Sequence, residues 1–107
     1  MKIIFDQGAP VPLRAYLARH TVDTAYELAW DTVQNSELIQ AAENAGYDLL
    51  VTTDQNLKYQ QNLRGRKLMI LVLLSTSWPR LRTHAQAIVQ MIEAMQVGDY
   101  NEFALEQ

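Results

Sequence analysis

The chain predicts an α/β fold, a three-layer α/β/α sandwich on a mainly parallel sheet of four to five strands. Three observations carry this reading. Short apolar runs at residues 2–6, 48–53 and 67–75 read as strands. Segments with helical apolar spacing lie between and after them. The run at 67–75 is almost continuously apolar, as expected of a strand buried on both faces of a parallel sheet. Successive parallel strands need crossovers, so this alternation implies a sheet covered by helices.

The first strand covers residues 2–6 and stops at Gln7-Gly8-Ala9-Pro10. Residues 11–19 predict a helix, with Leu13, Tyr16 and Leu17 at i, i+3 and i+4 and Pro12 in the first turn. Residues 20–23 are a short β-prone piece, and 24–30 suit either a brief helix or an irregular excursion. A clearer helix begins at Asn35 or Ser36, uses Leu38, Ile39, Ala41, Ala42 and Ala45 as its apolar face, and stops at Gly46. The strand at 48–53 delivers Asp54; residues 55–63 suggest a short helix and 64–66 a turn. After the strand at 67–75, Ser77-Trp78-Pro79 opens one last helix with a stripe of Ile88, Met91, Ile92 and Met95, ended by Gly98. Residues 100–105 are a candidate fifth, edge strand.

A chain of 107 residues with 49% hydrophobic composition has room for one domain, 1–107, with one core. There is no cysteine, which excludes disulfides and thiolate zinc sites and fits a reducing cytosol, so a cytoplasmic location is expected. No signal-peptide pattern is visible, and the longest apolar stretch, 68–74, is too short to cross a bilayer, so no membrane partner is expected. The net charge of −3 hides an asymmetry: residues 1–54 hold three bases and eight acids, residues 93–107 four acids and no base. Residues 55–92 hold no acid, but carry Lys58, Arg64, Arg66, Lys67, Arg80 and Arg82. A basic block beside carboxylates suits an anionic polymer; a solvated surface of mixed sign explains it equally well.

Two apolar runs each end on an aspartate, Asp6 and Asp54. In open parallel sheets ligands bind beyond the carboxyl ends of the strands, where both fall. Carboxylates gathered there without lysines favour a hard divalent cation such as Mg²⁺. Each alone reads as a turn or cap residue; together, on adjacent strands, they make a candidate metal site. Glu37, in the first turn of a helix, is favoured there by the macrodipole in any case. Thr53 is a candidate to hydrogen-bond a metal water or a phosphate, and Ser75 and Ser77 suit turn and cap roles. For substrate grip the candidates are Lys58, Arg64, Arg66 and Arg80, followed by Arg82 and Arg14; Trp30, Trp78, Tyr16 and Tyr59 are candidate stacking platforms, with packing the commoner role of the tryptophans. His20 and His84 read as structural.

The segments Ile3-Ile4-Phe5-Asp6-Gln7-Gly8, His20-Thr21-Val22-Asp23-Thr24, Asn35-Ser36-Glu37-Leu38-Ile39 with Ala41-Ala42, and Val51-Thr52-Thr53-Asp54-Gln55-Asn56-Leu57 resemble the compact PIN-like proteins, small bacterial relatives of the PIN-domain ribonucleases. The resemblance spans residues 2 to about 90. It implies a PIN-like fold and a Mg²⁺- or Mn²⁺-dependent endoribonuclease, with Asp6, Glu37 and Asp54 matching acidic metal-holding positions. It implies single-stranded RNA as partner and, as in toxin-antitoxin pairs, a cognate antitoxin protein; a homodimer is a further expectation. The chain departs from the pattern at Asn35 and Asn56, where many relatives have aspartate; both are candidate neutral oxygen ligands. Two other readings stay open. One is a catalytically degenerate PIN-like domain that binds RNA or protein. The other is a receiver-like phosphoacceptor, against which Gln7 follows Asp6 where an acidic pair is wanted and no lysine follows Lys67.

Overall fold

Five short strands form one sheet in the computed structural model, which describes residues 1–33, 35–55, 57 and 66–105. The strands are β1 (Lys2–Phe5), β2 (Thr21–Thr24), β3 (Leu49–Thr52), β4 (Met69–Leu73) and β5 (Tyr100–Phe103). Their order is β2-β1-β3-β4-β5, and every neighbouring pair is parallel. The chain first adds β2 on one side of β1, then crosses to add β3 on the other. The topological switch point, the place where such sheets open a binding crevice, therefore falls between β1 and β3.

Alternation along the strands divides the core in two. Ile3, Phe5, Leu49, Val51, Met69, Leu71 and Leu73 face a 3-10 helix (Val11–Leu17) and two helices, α2 (Trp78–Arg82) and α3 (Ala85–Ala94), which contribute Leu13, Leu17, Leu81, Ile88 and Ile92. Ile4, Leu50, Ile70 and Val72 face α1 (Asn35–Asn44), through Leu38, Ile39 and Ala42, together with Leu57. This is the expected three-layer arrangement. Each buried aliphatic side chain contributes roughly 1.5–3 kcal/mol, and the central strands β3 and β4 are buried at every position. The edge strands β2 and β5 are not.

Several boundaries differ from expectation, each for a physical reason. The predicted helix at 11–19 is a 3-10 helix over Val11–Leu17, whose turns close i to i+3 from the outset, Leu13 N–H to Pro10 O at 3.0 Å and His20 N–H to Leu17 O at 2.9 Å. Residues 20–23 join the sheet as β2, and the segment after it is a series of turns. The last helix is two helices. His84 adopts φ −112°, and its N–H (2.8 Å) and that of Thr83 both return to Leu81 O, while the Thr83 hydroxyl donates to Arg80 O at 2.9 Å, so the ladder closes on itself. α3 ends at Ala94 rather than at Gly98, yet Met95 still packs into the core. Gly98 instead makes a close turn at φ 82°, where a Cβ would approach Arg66 O to 2.8 Å. The helix expected at 55–63 lies outside the described residues except for Gln55 and Leu57. Among the described residues, no helix is long and apolar enough to cross a membrane.

Candidate functional site

β1 does not stop cleanly at Phe5. Asp6 N–H donates to Val51 O at 2.9 Å, one more rung beside β3, before Ala9 N–H turns back to Asp6 O at 3.0 Å. The chain thus delivers the Asp6 carboxylate to the switch point. From the neighbouring strand, Thr52 is only 1% exposed and its hydroxyl does two things. It donates to Asp6 Oδ2 at 2.8 Å and accepts from Asp54 N–H at 3.1 Å. One buried hydroxyl therefore joins the ends of β1 and β3. Gln7 N–H donates to Asp6 Oδ1 at 2.7 Å, so each oxygen of Asp6 has one partner among the described residues and keeps one acceptor site with respect to them. A Cβ at Gly8 would run into the Thr53 hydroxyl, so any larger residue there has to push that side chain aside.

The structure ties the Asp6 carboxylate and the backbone N–H of Asp54 to Thr52, and sets the Thr53 side chain against Gly8. Glu37 is exposed in the first turn of α1, and among the described residues no group of three His, Cys, Asp or Glu side chains comes together in a metal-holding arrangement. Arg80 is exposed on α2, after the carboxyl end of β4, at the same end of the sheet as Asp54. Arg66 precedes β4 and therefore lies at the amino end of the strands, with its guanidinium 3.8 Å from Glu43. Asn56, Lys58, Tyr59 and Arg64, and the side chain of Asn35, lie outside the described residues. The donor chemistry at the switch point still fits a hard cation. Mg²⁺ is commonly held by one or two carboxylates, completing its shell with water and substrate phosphate, and a hydroxyl that fixes the carboxylate is the usual supporting contact.

Of the expected stacking platforms, Trp30, Trp78 and Tyr16 each pack against another ring, with Tyr16 still 43% exposed, and Tyr59 lies outside the described residues. Tyr16 tilts against Trp78 with ring centroids 6.0 Å apart, and Trp30 meets Tyr47 edge-on at 6.2 Å. His84 packs on Phe103, and His20 bridges the Met1 amine and Glu93 Oε2 at 3.1 and 3.2 Å.

Three residues that the sequence did not single out shape the same end of the sheet. Thr24 and Glu27 form a reciprocal pair, Thr24 N–H to Glu27 Oε1 at 2.9 Å and Glu27 N–H to Thr24 Oγ1 at 3.1 Å. The Thr-x-x-Glu spacing of a capping box was the available signal. Glu27 also accepts two hydrogen bonds from Arg14, at 2.5 and 3.2 Å, and the guanidinium holds its carboxyl down to about 2. Thr52 stood in the sequence only as part of the Thr52-Thr53-Asp54 run that carries the family resemblance, with no role of its own, since a threonine in a buried strand is ordinary β-chemistry. A cavity of about 460 Å³ opens at the opposite end of the sheet, lined in part by Glu43, Asp48 and Lys67, but its acids serve the backbone. Glu43 Oε1 accepts from Lys67 N–H (2.9 Å) and Leu68 N–H (3.1 Å), and Asp48 Oδ2 from Lys2 N–H at 2.7 Å. Comparison with known proteins found no matching family model, curated protein or solved structure.

Proposed function

We propose that this chain is a Mg²⁺- or Mn²⁺-dependent endoribonuclease that hydrolyses RNA phosphodiesters by metal-activated water, and that it acts as the toxin of a toxin-antitoxin pair, with an antitoxin protein as its partner. One observation carries the reading: a single buried hydroxyl, that of Thr52, ties the Asp6 carboxylate to the backbone of Asp54 at the β1/β3 switch point. Asp6 and Asp54 would hold the ion. Thr52 and the Gln7 amide fix Asp6 in one orientation, so no reorganisation is needed when a phosphate arrives. A divalent ion bound there supplies a water of lowered pKa and positive charge at the scissile phosphate. Arg80, at the same end of the sheet, with Lys58 and Arg64 from the basic block, would grip the RNA backbone.

The test is cleavage of single-stranded RNAs by purified protein with Mn²⁺, Mg²⁺ or EDTA, beside the Asp6→Asn/Asp54→Asn double variant. We expect metal-dependent cutting that falls by more than about a hundredfold in the variant, with its circular dichroism unchanged. Undiminished cutting by the folded variant would refute the site. A second reading, a catalytically degenerate domain that binds RNA or protein, is favoured by the lack of a third ligand near Asp6 and Asp54 among the described residues. RNA binding without turnover in either metal would select it.

A further inference from the structure

The turn after β2 presents Tyr26 with 75% of its surface exposed, on a cleft of about 290 Å³ that Asp6, Val11, Arg14 and Glu27 also line. The turn is braced throughout. Ala25 is buried and its N–H donates to Phe5 O at 2.8 Å, Trp30 N–H closes on Ala25 O at 2.7 Å, and the Thr24–Glu27 pair holds the start. Ala29 sits at φ 59°, the one non-glycine residue with positive φ among the described residues. Strain of this kind persists where surrounding contacts over-determine it, and it concentrates in segments that clamp ligands. Val11 is 52% exposed, so two of the five large hydrophobic side chains left exposed among the described residues line this one cleft beside Asp6.

Charge decides what the cleft accepts. Arg14 is matched by Glu27 in a two-pronged pair, and Asp6 adds another carboxylate, so the walls repel a phosphate and tolerate a flat, neutral group. We infer that the Tyr26 cleft is a nucleobase subsite: a base of single-stranded RNA stacks on the Tyr26 ring next to Asp6, with the Arg14 guanidinium, held in place by Glu27, at its edge. The inference rests on the ribonuclease reading and adds to it a contact with a base where the cations contact only the backbone.

Equilibrium binding of a fluorescein-labelled single-stranded RNA in EDTA, and of the same backbone carrying abasic sites, tests it on the full chain. Tyr26→Ala should bind the intact RNA about tenfold more weakly, Tyr26→Phe should bind as the wild type does, and the abasic strand should not distinguish the three. Equal binding by Tyr26→Ala overturns the inference, as does a wild type that binds intact and abasic strands alike. Self-association that weakens in Tyr26→Ala while RNA affinity stays constant overturns it too, by making the ring a protein contact. Base-dependent binding without any cleavage in Mn²⁺ would sustain the subsite and remove the ribonuclease; metal-dependent cleavage with binding indifferent to Tyr26 would do the reverse.

Discussion

The two ends of the sheet use the same side chain, a carboxylate, for opposite purposes. At the amino end, Glu43 spends both acceptor sites of one oxygen on the N–H groups of Lys67 and Leu68, and Asp48 takes the N–H of Lys2. Those acids replace missing ladder partners at strand starts. At the carboxyl end, Asp6 has one partner on each oxygen among the described residues, and a side-chain hydroxyl supplies one of them. With respect to those residues, its remaining acceptor sites stay available to a ligand. Cavity size alone would rank the ends the other way, about 460 Å³ at the amino end against about 290 Å³ beside Asp6. What distinguishes them is the kind of partner: Glu43 and Asp48 accept from backbone N–H groups of strand starts, whereas Asp6 is also held by a buried side-chain hydroxyl from the neighbouring strand.

Four substitutions would break or sharpen this contrast. Glu43→Ala should have the largest effect, about 2–4 kcal/mol of stability, since it strands two backbone donors at the start of β4. Urea unfolding would measure it, and cleavage per folded molecule should stay unchanged. Thr52→Val keeps shape and removes the hydroxyl, leaving Asp6 unrestrained and Asp54 N–H without that acceptor. The expected loss is about ten- to a hundredfold in metal-dependent cleavage, against only about 1–2 kcal/mol of stability. A Thr52→Val protein as active as the wild type would end the claim that the hydroxyl organises the site.

Tyr47→Phe comes next. The Tyr47 hydroxyl donates to Asp23 Oδ2 at 2.6 Å, and burial, followed by that bond, pushes its ionisation well above the ordinary value of 10. Because the folded state resists losing this proton, its stabilisation is complete below pH 10 and declines as pH rises past it, where the unfolded chain ionises first. The variant should lose about 1–2 kcal/mol at neutral pH and show a flatter fall in melting temperature above pH 10. The smallest effect belongs to Glu27→Gln. With its folded value held near 2, below the ordinary 4.5, Glu27 stabilises the turn above pH 4.5 and releases it as pH falls toward 2. Melting curves should show that acid-side decline in the wild type and less of it in the variant. Both partners are largely exposed, so added salt should blunt the difference.

Much of the fold was legible because strand and helix burial repeats with a fixed period. The runs ending at Asp6 and Asp54, the α1 stripe of Leu38, Ile39 and Ala42, and the uniformly apolar β4 all report their surroundings through hydrophobicity alone. The break at Thr83–His84 was not legible, since Ile88 and Ile92 keep helical spacing whether or not a turn precedes them. Nor was the separation of Arg66 from Arg80, which are close in sequence but lie at opposite ends of a parallel strand.

By itself, then, the sequence determined the alternation of strands and helices, the placement of Asp6 and Asp54 at strand ends, and the gathering of the bases into one block. Only the tertiary structure decided which strands are neighbours, which acids the backbone consumes and which aromatic ring is left exposed. Hydrophobic periodicity encodes which face of an element is buried, whereas neighbours across a sheet are chosen by packing and by hydrogen bonds between residues far apart in the chain. The bond from Thr52 to Asp6 spans 46 positions, and no local pattern records it.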